Sequence, residues 1–297
     1  MAAIISAGIG TDNAIFPEIL VKEMFNAVAG KSSVAKMSQA RPVSFVGNTE
    51  FVFTMDSEAD IVAENGAKAN GGAAFNPVHI VPVKFEYGTR VSDEFIYASE
   101  EQRLETLRTF IEGAARKFAR ALDIGAIRGV NPRTGQASAV IGTNNLVAEG
   151  NSVTYTAATP DANLEEAVTT IQNHGGTVTG VIMSPAFSAA MAGLKVNGVP
   201  QYPELRFGSV PEDFYGLKVD VNSTLPSTGN VKAVVGDFDG FRWGYAKDIT
   251  FEVIRYGNPD NDATLGDLRG HNQVYLRCEA YIGWGVLDGD RFAVIAA

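Results

Sequence analysis

The sequence predicts an α+β fold, on three observations. Two runs of alternating residues, Val43 to Met55 and Val81 to Tyr87, flank a polar connection, as in a long two-stranded arm. A capped apolar stripe from Glu100 to Arg128 predicts one unusually long helix. After Asn230 the chain is a succession of short strand-like segments joined by Gly- and Asp-rich turns.

The 297 residues are 45% hydrophobic and 20% charged, which is globular usage in a chain long enough for one or two domains. A formal net charge of −10 argues against the basic surface of a phosphate-neutralising protein, while a wall that merely surrounds nucleic acid gains from mild repulsion. Cys278 is the only cysteine, so neither an internal disulfide nor a thiolate metal cluster is expected. No run approaches the ~18 apolar residues of a membrane span. Met1 to Gly10 carries no basic residue of a secretory signal, and the expectation is a cytoplasmic product.

The first element runs from about Pro17 to Ala29, where Phe16, Ile19, Leu20, Met24 and Val28 share a helical face. Asp12 or Asn13 suits its cap and Gly30 its end. In the arm that follows, Val43, Phe45, Phe51, Phe53 and Met55 share one strand face, with Ser44, Asn48, Glu50 and Thr54 on the other. In the return strand, Val81, Val83, Phe85 and Tyr87 alternate with Pro82, Lys84 and Glu86, and Asp56 to Pro77 reads as a flexible tip. Fourteen residues at ~3.3 Å each make an arm roughly 45 Å long. A compact globule of this length has a radius of gyration of about 19 Å. A projecting hairpin with an apolar stripe needs a neighbour to cover it, which is a sign of assembly.

The long helix has a capping box, Ser99 with Gln102, and Gly129 and Pro132 end it. Its stripe is Leu104, Leu107, Ile111, Ala114, Phe118 and Leu122, with acids early and bases late, as the helix dipole favours. From about Val153 the pattern becomes α/β. A helix after Asp161 carries Leu164, Val168 and Ile171 and stops at Gly175-Gly176. A strand, Val178 to Met183, leads to Ser184-Pro185, which opens a helix bearing Phe187, Met191 and Leu194. Asn197 to Pro226 reads as a long exposed loop. Val231 to Val235, Phe241 to Tyr245, Ile249 to Tyr256, Val274 to Trp284 and Arg291 to Ile295 read as strands, with Gly257 to Gly270 as a polar loop.

Chemical signals are weak. Gly30-Lys31-Ser32 has Phe25 where a phosphate loop needs its first glycine, so Gly30 reads as a helix stop. The acid groups Asp237 with Asp239, Asp260 with Asp262 and Asp267, and Asp288 with Asp290 lack calcium-loop spacing and read as turn residues. His79, His174 and His271 form no zinc-binding pair, and there is no Gly-x-Ser-x-Gly elbow. No catalytic, cofactor-binding or metal-binding residue is assigned.

The order of parts carries a resemblance: Pro42 to Met55 with Val78 to Ser92, the helix ending Ala121-Leu-Asp-Ile-Gly-Ala-Ile-Arg-Gly129, Val181-Ile-Met-Ser-Pro-Ala-Phe187, and Ala280-Tyr-Ile-Gly-Trp284. The chain resembles, over nearly its whole length, the major capsid proteins of tailed phages with the Hong Kong 97-type fold. That resemblance implies an N-terminal arm at 1–40 and an extended loop at 41–91. It implies a peripheral domain with a spine helix at 92–150 and 248–282, and an axial domain at 151–247 and 283–297. It implies self-assembly into pentamers and hexamers of an icosahedral or prolate head that encloses double-stranded DNA, built in the host cytoplasm and ending in the virion. The implied partners are further copies of itself, a separate scaffolding protein, a portal and, in some relatives, a decoration protein. No cofactor, membrane or sequence-specific DNA contact is implied. Assembly contacts are expected at Glu64, Lys68 and Phe75 in the extended loop and at Arg90 near its base. Others are expected at Tyr202 and Arg206 in the exposed loop and at Arg255 and Arg269 beside the peripheral loop. Lys68 with Asn272 or Asn261 falls where some relatives cross-link, but a single band on a denaturing gel is the expectation.

Three rival readings stay open at this point. A bacterial encapsulin shares the fold, a carboxylate-using hydrolase would use the acid groups, and a calcium-dependent adhesin would lose stability on chelation.

Overall fold

The computed structural model describes residues 18–55, 59–68, 70–225 and 230–297. The expected cap at Asp12 or Asn13, the side chain of Phe16 and the start of the arm tip at Asp56 lie outside these residues. Helix α1 spans Glu18–Lys31 and buries Met24 and Val28. It runs through Gly30 instead of stopping there. The break comes at Ser32, whose hydroxyl accepts from Ala35 N and caps helix α2, Ser33–Met37.

The hairpin differs from the expected one. Strand β1, Asn48–Met55, pairs antiparallel with β2, Ala73–Ile80, over eight rungs. At ~3.3 Å per residue the arm is roughly 26 Å long. The alternating run that begins at Val81 is a strand, β3 (Pro82–Ser92), but it belongs to another sheet, where it pairs with β11, Gln273–Val286. Alternation identifies a half-buried strand without naming its partner, and Asn76 and Pro77 disguise the true return strand as a turn-rich connection.

A short helix, α3 (Glu94–Tyr97), precedes α4 at Glu100–Arg128, whose bounds match the sequence reading. Ser99 Oγ accepts from Gln102 N, and Gly129 closes the helix at φ 70°. Leu107, Ile111, Ala114, Phe118 and Leu122 are buried, but Leu104 is exposed. From Ala121 to Ile127 the helix is buried on every side. Gly125 is part of the reason: a Cβ there would lie 2.9 Å from the Trp284 ring, so the glycine admits the indole.

Helix α5, Leu146–Glu149, leads to β4, Asn151–Thr154, and then α6, Pro160–Asn173. Strand β5, Gly180–Met183, and helix α7, Pro185–Gly193, follow, the latter capped by Ser184 as expected. After the two-residue strand β6 (Lys195–Val196), the segment read as an exposed loop holds more structure: β7 (Val199–Pro200), a 3-10 turn at Pro203–Gly208 and β8 (Lys218–Val221). Strand β8 pairs parallel with β5, a long-range contact that four residues of pattern do not announce. Strands β9 (Val231–Gly236), β10 (Phe241–Ile254), β11 and β12 (Phe292–Ala296) complete the chain. The two segments read around Ala246 are one strand, β10, with an irregular register between Tyr245 and Thr250.

Two main sheets result, β10-β11-β3 and β4-β12-β9-β5-β8. The second is a layer between two cores. Phe292, Val294, Val234 and Ile182 face the core around α4, while Ala293, Ile295, Val235, Val181 and Met183 face α6 and α7. The chain between α2 and β1 runs beside β10, Arg41 N donating to Trp243 O at 2.8 Å and Val43 N to Tyr245 O at 3.2 Å. Gly244 permits this approach, since a Cβ would sit 1.6 Å from Arg41 O.

Candidate assembly surfaces

The β1–β2 hairpin has two unlike faces. Directly paired residues share a face, so Phe53 with Phe75 and Phe51 with Pro77 line one side. Phe53 and Phe75 pack in a tilted pair with centroids 4.8 Å apart, yet Phe51 is 69% and Phe75 68% exposed. On the opposite side Ile80 is buried against β11, where a Cβ on Gly285 would lie 2.7 Å from Ile80 Cγ1. The base of the arm is thus seated and its aromatic face left open. Glu64 and Lys68 lie exposed in the tip connection.

At the other end of β3, Arg90 is spent within the chain. Its Nε and Nη2 donate to Asp260 at 2.8 and 2.5 Å, and Nη2 also donates to Asn258 Oδ1 and Gly266 O. Nη1 donates to Gln273 Oε1 at 3.3 Å. Arg90 holds the Asp260 carboxyl down at about 2. The loop it clasps, 257–270, is braced further by its own acids. Asp262 accepts from Thr264 N and Leu265 N, and Asp267 from Gly257 N, Arg269 N and Gly270 N. Arg269 lies exposed with its guanidinium 5.9 Å from the Tyr256 ring, and Arg255 is half-buried just past β10.

A third surface joins Tyr202 and Arg206. Tyr202 packs against Phe214 and Tyr215, with ring centroids at 5.8 and 6.4 Å. The Arg206 guanidinium lies 5.3 Å from the ring of Phe207, which is 98% exposed. The structure therefore groups the eight expected contact residues into three separate areas and does not bring them together in one.

Sequence reasoning missed one site. Asp123 is buried in α4 and accepts from four donors: Ser32 Oγ at 2.6 Å, Ser33 N and Val34 N at 3.2 Å, and Asn222 Nδ2 at 2.8 Å. It fastens the start of α2 to the long helix. Alongside, Asp220 on β8 accepts from the Ser33 hydroxyl and pairs with Lys36 at 2.8 Å. Burial pushes the Asp123 carboxyl up to about 6, because desolvation outweighs the four hydrogen bonds. A lone acid in the apolar run Ala121 to Ile127 was the available signal.

The acid groups that supported a hydrolase or calcium reading have structural occupations. Asp237 accepts from Asp239 N and pairs with Arg291, and Asp288 accepts from Asp290 N and Arg291 Nε. Among the described residues no group of three or more His, Cys, Asp and Glu is placed to hold a metal ion. No described helix is long and apolar enough to cross a membrane.

The chain matches the phage capsid family over residues 13–297. It superposes on a solved chain from Mycobacterium phage Ogopogo with TM-score 0.74 and 33% identity, covering 90% of this chain and 92% of that one. A chain from Gordonia phage Cozz gives TM-score 0.73 and 25% identity over 90% and 86%. A chain titled as the capsid of a native GTA particle computed with C5 symmetry shares the fold, with TM-score 0.60 and 15% identity over 91% of each. No curated protein is detectably similar. With an α+β fold built on a long helix and a family match over nearly its whole length, the chain belongs to the phage capsid family and is a major capsid protein, a non-enzymatic structural subunit of the virion shell.

Proposed function

We propose that copies of this chain join as pentamers and hexamers, each hairpin laying its aromatic face on a neighbouring copy, to close an icosahedral or prolate head around double-stranded DNA. The observation that carries this reading is the open face of Phe51, Phe53, Phe75 and Pro77 on a seated two-stranded arm. Covering each of the three phenyl groups contributes about 1–2 kcal/mol at ~25 cal/mol per Å². Identical subunits cannot close a shell through isologous contacts alone and need heterologous ones, and an arm received by a different part of the next copy is one of these. The arm (41–91), the clasped loop 257–270 and the Tyr202–Arg206 area are the contact regions in this reading, with Glu64, Lys68, Phe75, Arg255 and Arg269 exposed or half-exposed on them and Arg90 acting through its loop. The net charge of −10 fits a wall that holds DNA without adhering to it. A separate scaffolding protein, a portal and a decoration protein complete the proposed set of partners.

The test is assembly of the purified subunit, with scaffold supplied, followed by light scattering and negative-stain microscopy. Phe51→Ser, Phe53→Ser and Phe75→Ser combined leave folded subunit and abolish shells. Normal particles from the triple variant would refute the proposed role of the arm.

A further inference from the structure

The chain holds three Asn-Gly pairs, at 65–66, 70–71 and 197–198. In such a pair the backbone nitrogen of the glycine can attack the asparagine amide and close a five-membered ring, because a residue without Cβ does not crowd the closure. The attack needs Cβ of the asparagine and the following nitrogen on the same side of the Cα–C bond. It also needs that nitrogen free of another partner. The fold treats the three pairs differently.

Asn65 has φ 67° and Asn197 φ 51°. In the left-handed region ψ is about +47°, which sets Cβ and the following nitrogen on opposite sides of the bond. Each of these residues is held there by its turn. Gly66 N donates to Ala63 O at 2.8 Å, which fixes the turn and occupies the attacking nitrogen. Asn197 and Gly198 (φ 82°) are the two central residues of the hairpin in which β6 pairs with β7 through Val196 and Val199. Asn70 and Gly71, by contrast, are both exposed and lie in no helix, strand or turn, just before β2 begins at Ala73. Among the described residues nothing accepts from Gly71 N.

We infer that Asn70 is a site of spontaneous covalent modification in the arm tip, and that the fold protects the other two pairs. Gly71 N gives its proton to base and bonds to Asn70 Cγ, the Cγ–Nδ2 bond breaks, and ammonia leaves. Water then opens the ring at either carbonyl, leaving an aspartyl or an isoaspartyl residue with no change of oxidation state. Each conversion adds a negative charge to the tip, two residues from Lys68, and the isoaspartyl product also lengthens the main chain by a carbon. A subunit left unassembled therefore ages at its arm tip first. None of this depends on the proposed shell.

The experiment ages the unassembled subunit in warm, mildly alkaline buffer, folded and, in parallel, unfolded in guanidinium chloride. Trypsin cuts after Lys68 and Lys195 and so puts the three pairs on separate peptides, and mass spectrometry follows each amide-to-acid conversion. In the folded subunit Asn70 is expected to convert at its unfolded rate. Asn65 and Asn197 convert about tenfold more slowly, the factor that about 1.4 kcal/mol of turn hydrogen bond supplies when it must first open. In guanidinium the three rates converge. Gly71→Ala slows conversion at Asn70 alone and, standing outside every element, leaves the urea midpoint unchanged. Equal rates at the three pairs in the folded subunit, or an Asn70 that stays intact there while the unfolded chain converts, would overturn the inference.

Discussion

The Asp123 site yields a prediction whose size follows from the structure. Asp123→Asn keeps the shape of the side chain and removes its titration. In the wild-type subunit the folded carboxyl ionises at about 6 and the ordinary value is 3.8. At about 1.4 kcal/mol per pH unit, that difference is about 3 kcal/mol. The folded value lies above the unfolded one, so ionisation opposes folding. The group's contribution is fully present below about pH 4 and is lost as pH rises through about 6. Relative to the variant, the wild type therefore gains about 2 kcal/mol between pH 7 and pH 4, the rest coming only below pH 4. The variant also carries a pH-independent defect. Its amide can accept from Ser32 Oγ and Val34 N through oxygen, but its NH₂ then faces Ser33 N and Asn222 Nδ2, donor against donor, which costs about 2–4 kcal/mol. Urea unfolding of the unassembled subunit, followed by circular dichroism at pH 4, 5, 6 and 7, separates the two. The offset tests the hydrogen bonds, and the divergence with pH tests burial of a charge. Parallel pH profiles for wild type and variant would show that Asp123 does not titrate as a desolvated carboxyl, and the reasoning would fail.

Other predictions follow from single contacts. Gly244→Ala drives a Cβ into Arg41 O and breaks the two hydrogen bonds that lay the chain beside β10, so the subunit loses about 2–4 kcal/mol; an unchanged urea midpoint would contradict this placement. The Asp260 carboxyl, held at about 2 by Arg90, behaves in the opposite sense to Asp123: its contribution is present above about 3.8 and is lost as pH falls through 2. Pepsin should accordingly begin to cut within 257–270 as pH drops from 4 to 2, and Asp260→Asn should be cut already at pH 4. Equal cutting of wild type and variant at pH 4 would remove Arg90 from its clasping role.

The sequence by itself determined the elements whose causes are local. The bounds of α4 follow from Ser99, Gln102 and Gly129, and Ser184-Pro185 opens α7, because caps and stops act within a turn of where they stand. The alternating residues of β3 and β11 showed strands, since one face of β3 is half-buried around Phe85 and the face of β11 from Val274 to Trp284 is buried. The aromatic stripe on Phe51 and Phe53 was legible for the same reason, and with it the need for a covering neighbour. Only the tertiary structure decided which strand pairs with which. It placed Ala73–Ile80 beside β1, sent Pro82–Ser92 to β11, and set β8 at the edge of the five-stranded sheet. Pairing is a contact between distant segments, and a pattern of period two is the same whoever the partner is. The same holds for Asp123 and Arg90. Their residue types were visible, but four donors around one carboxylate and a loop folded around one guanidinium exist only after segments as far apart as Ser32 and Asn222, or Arg90 and Asp260, have been brought together by burial of the cores between them.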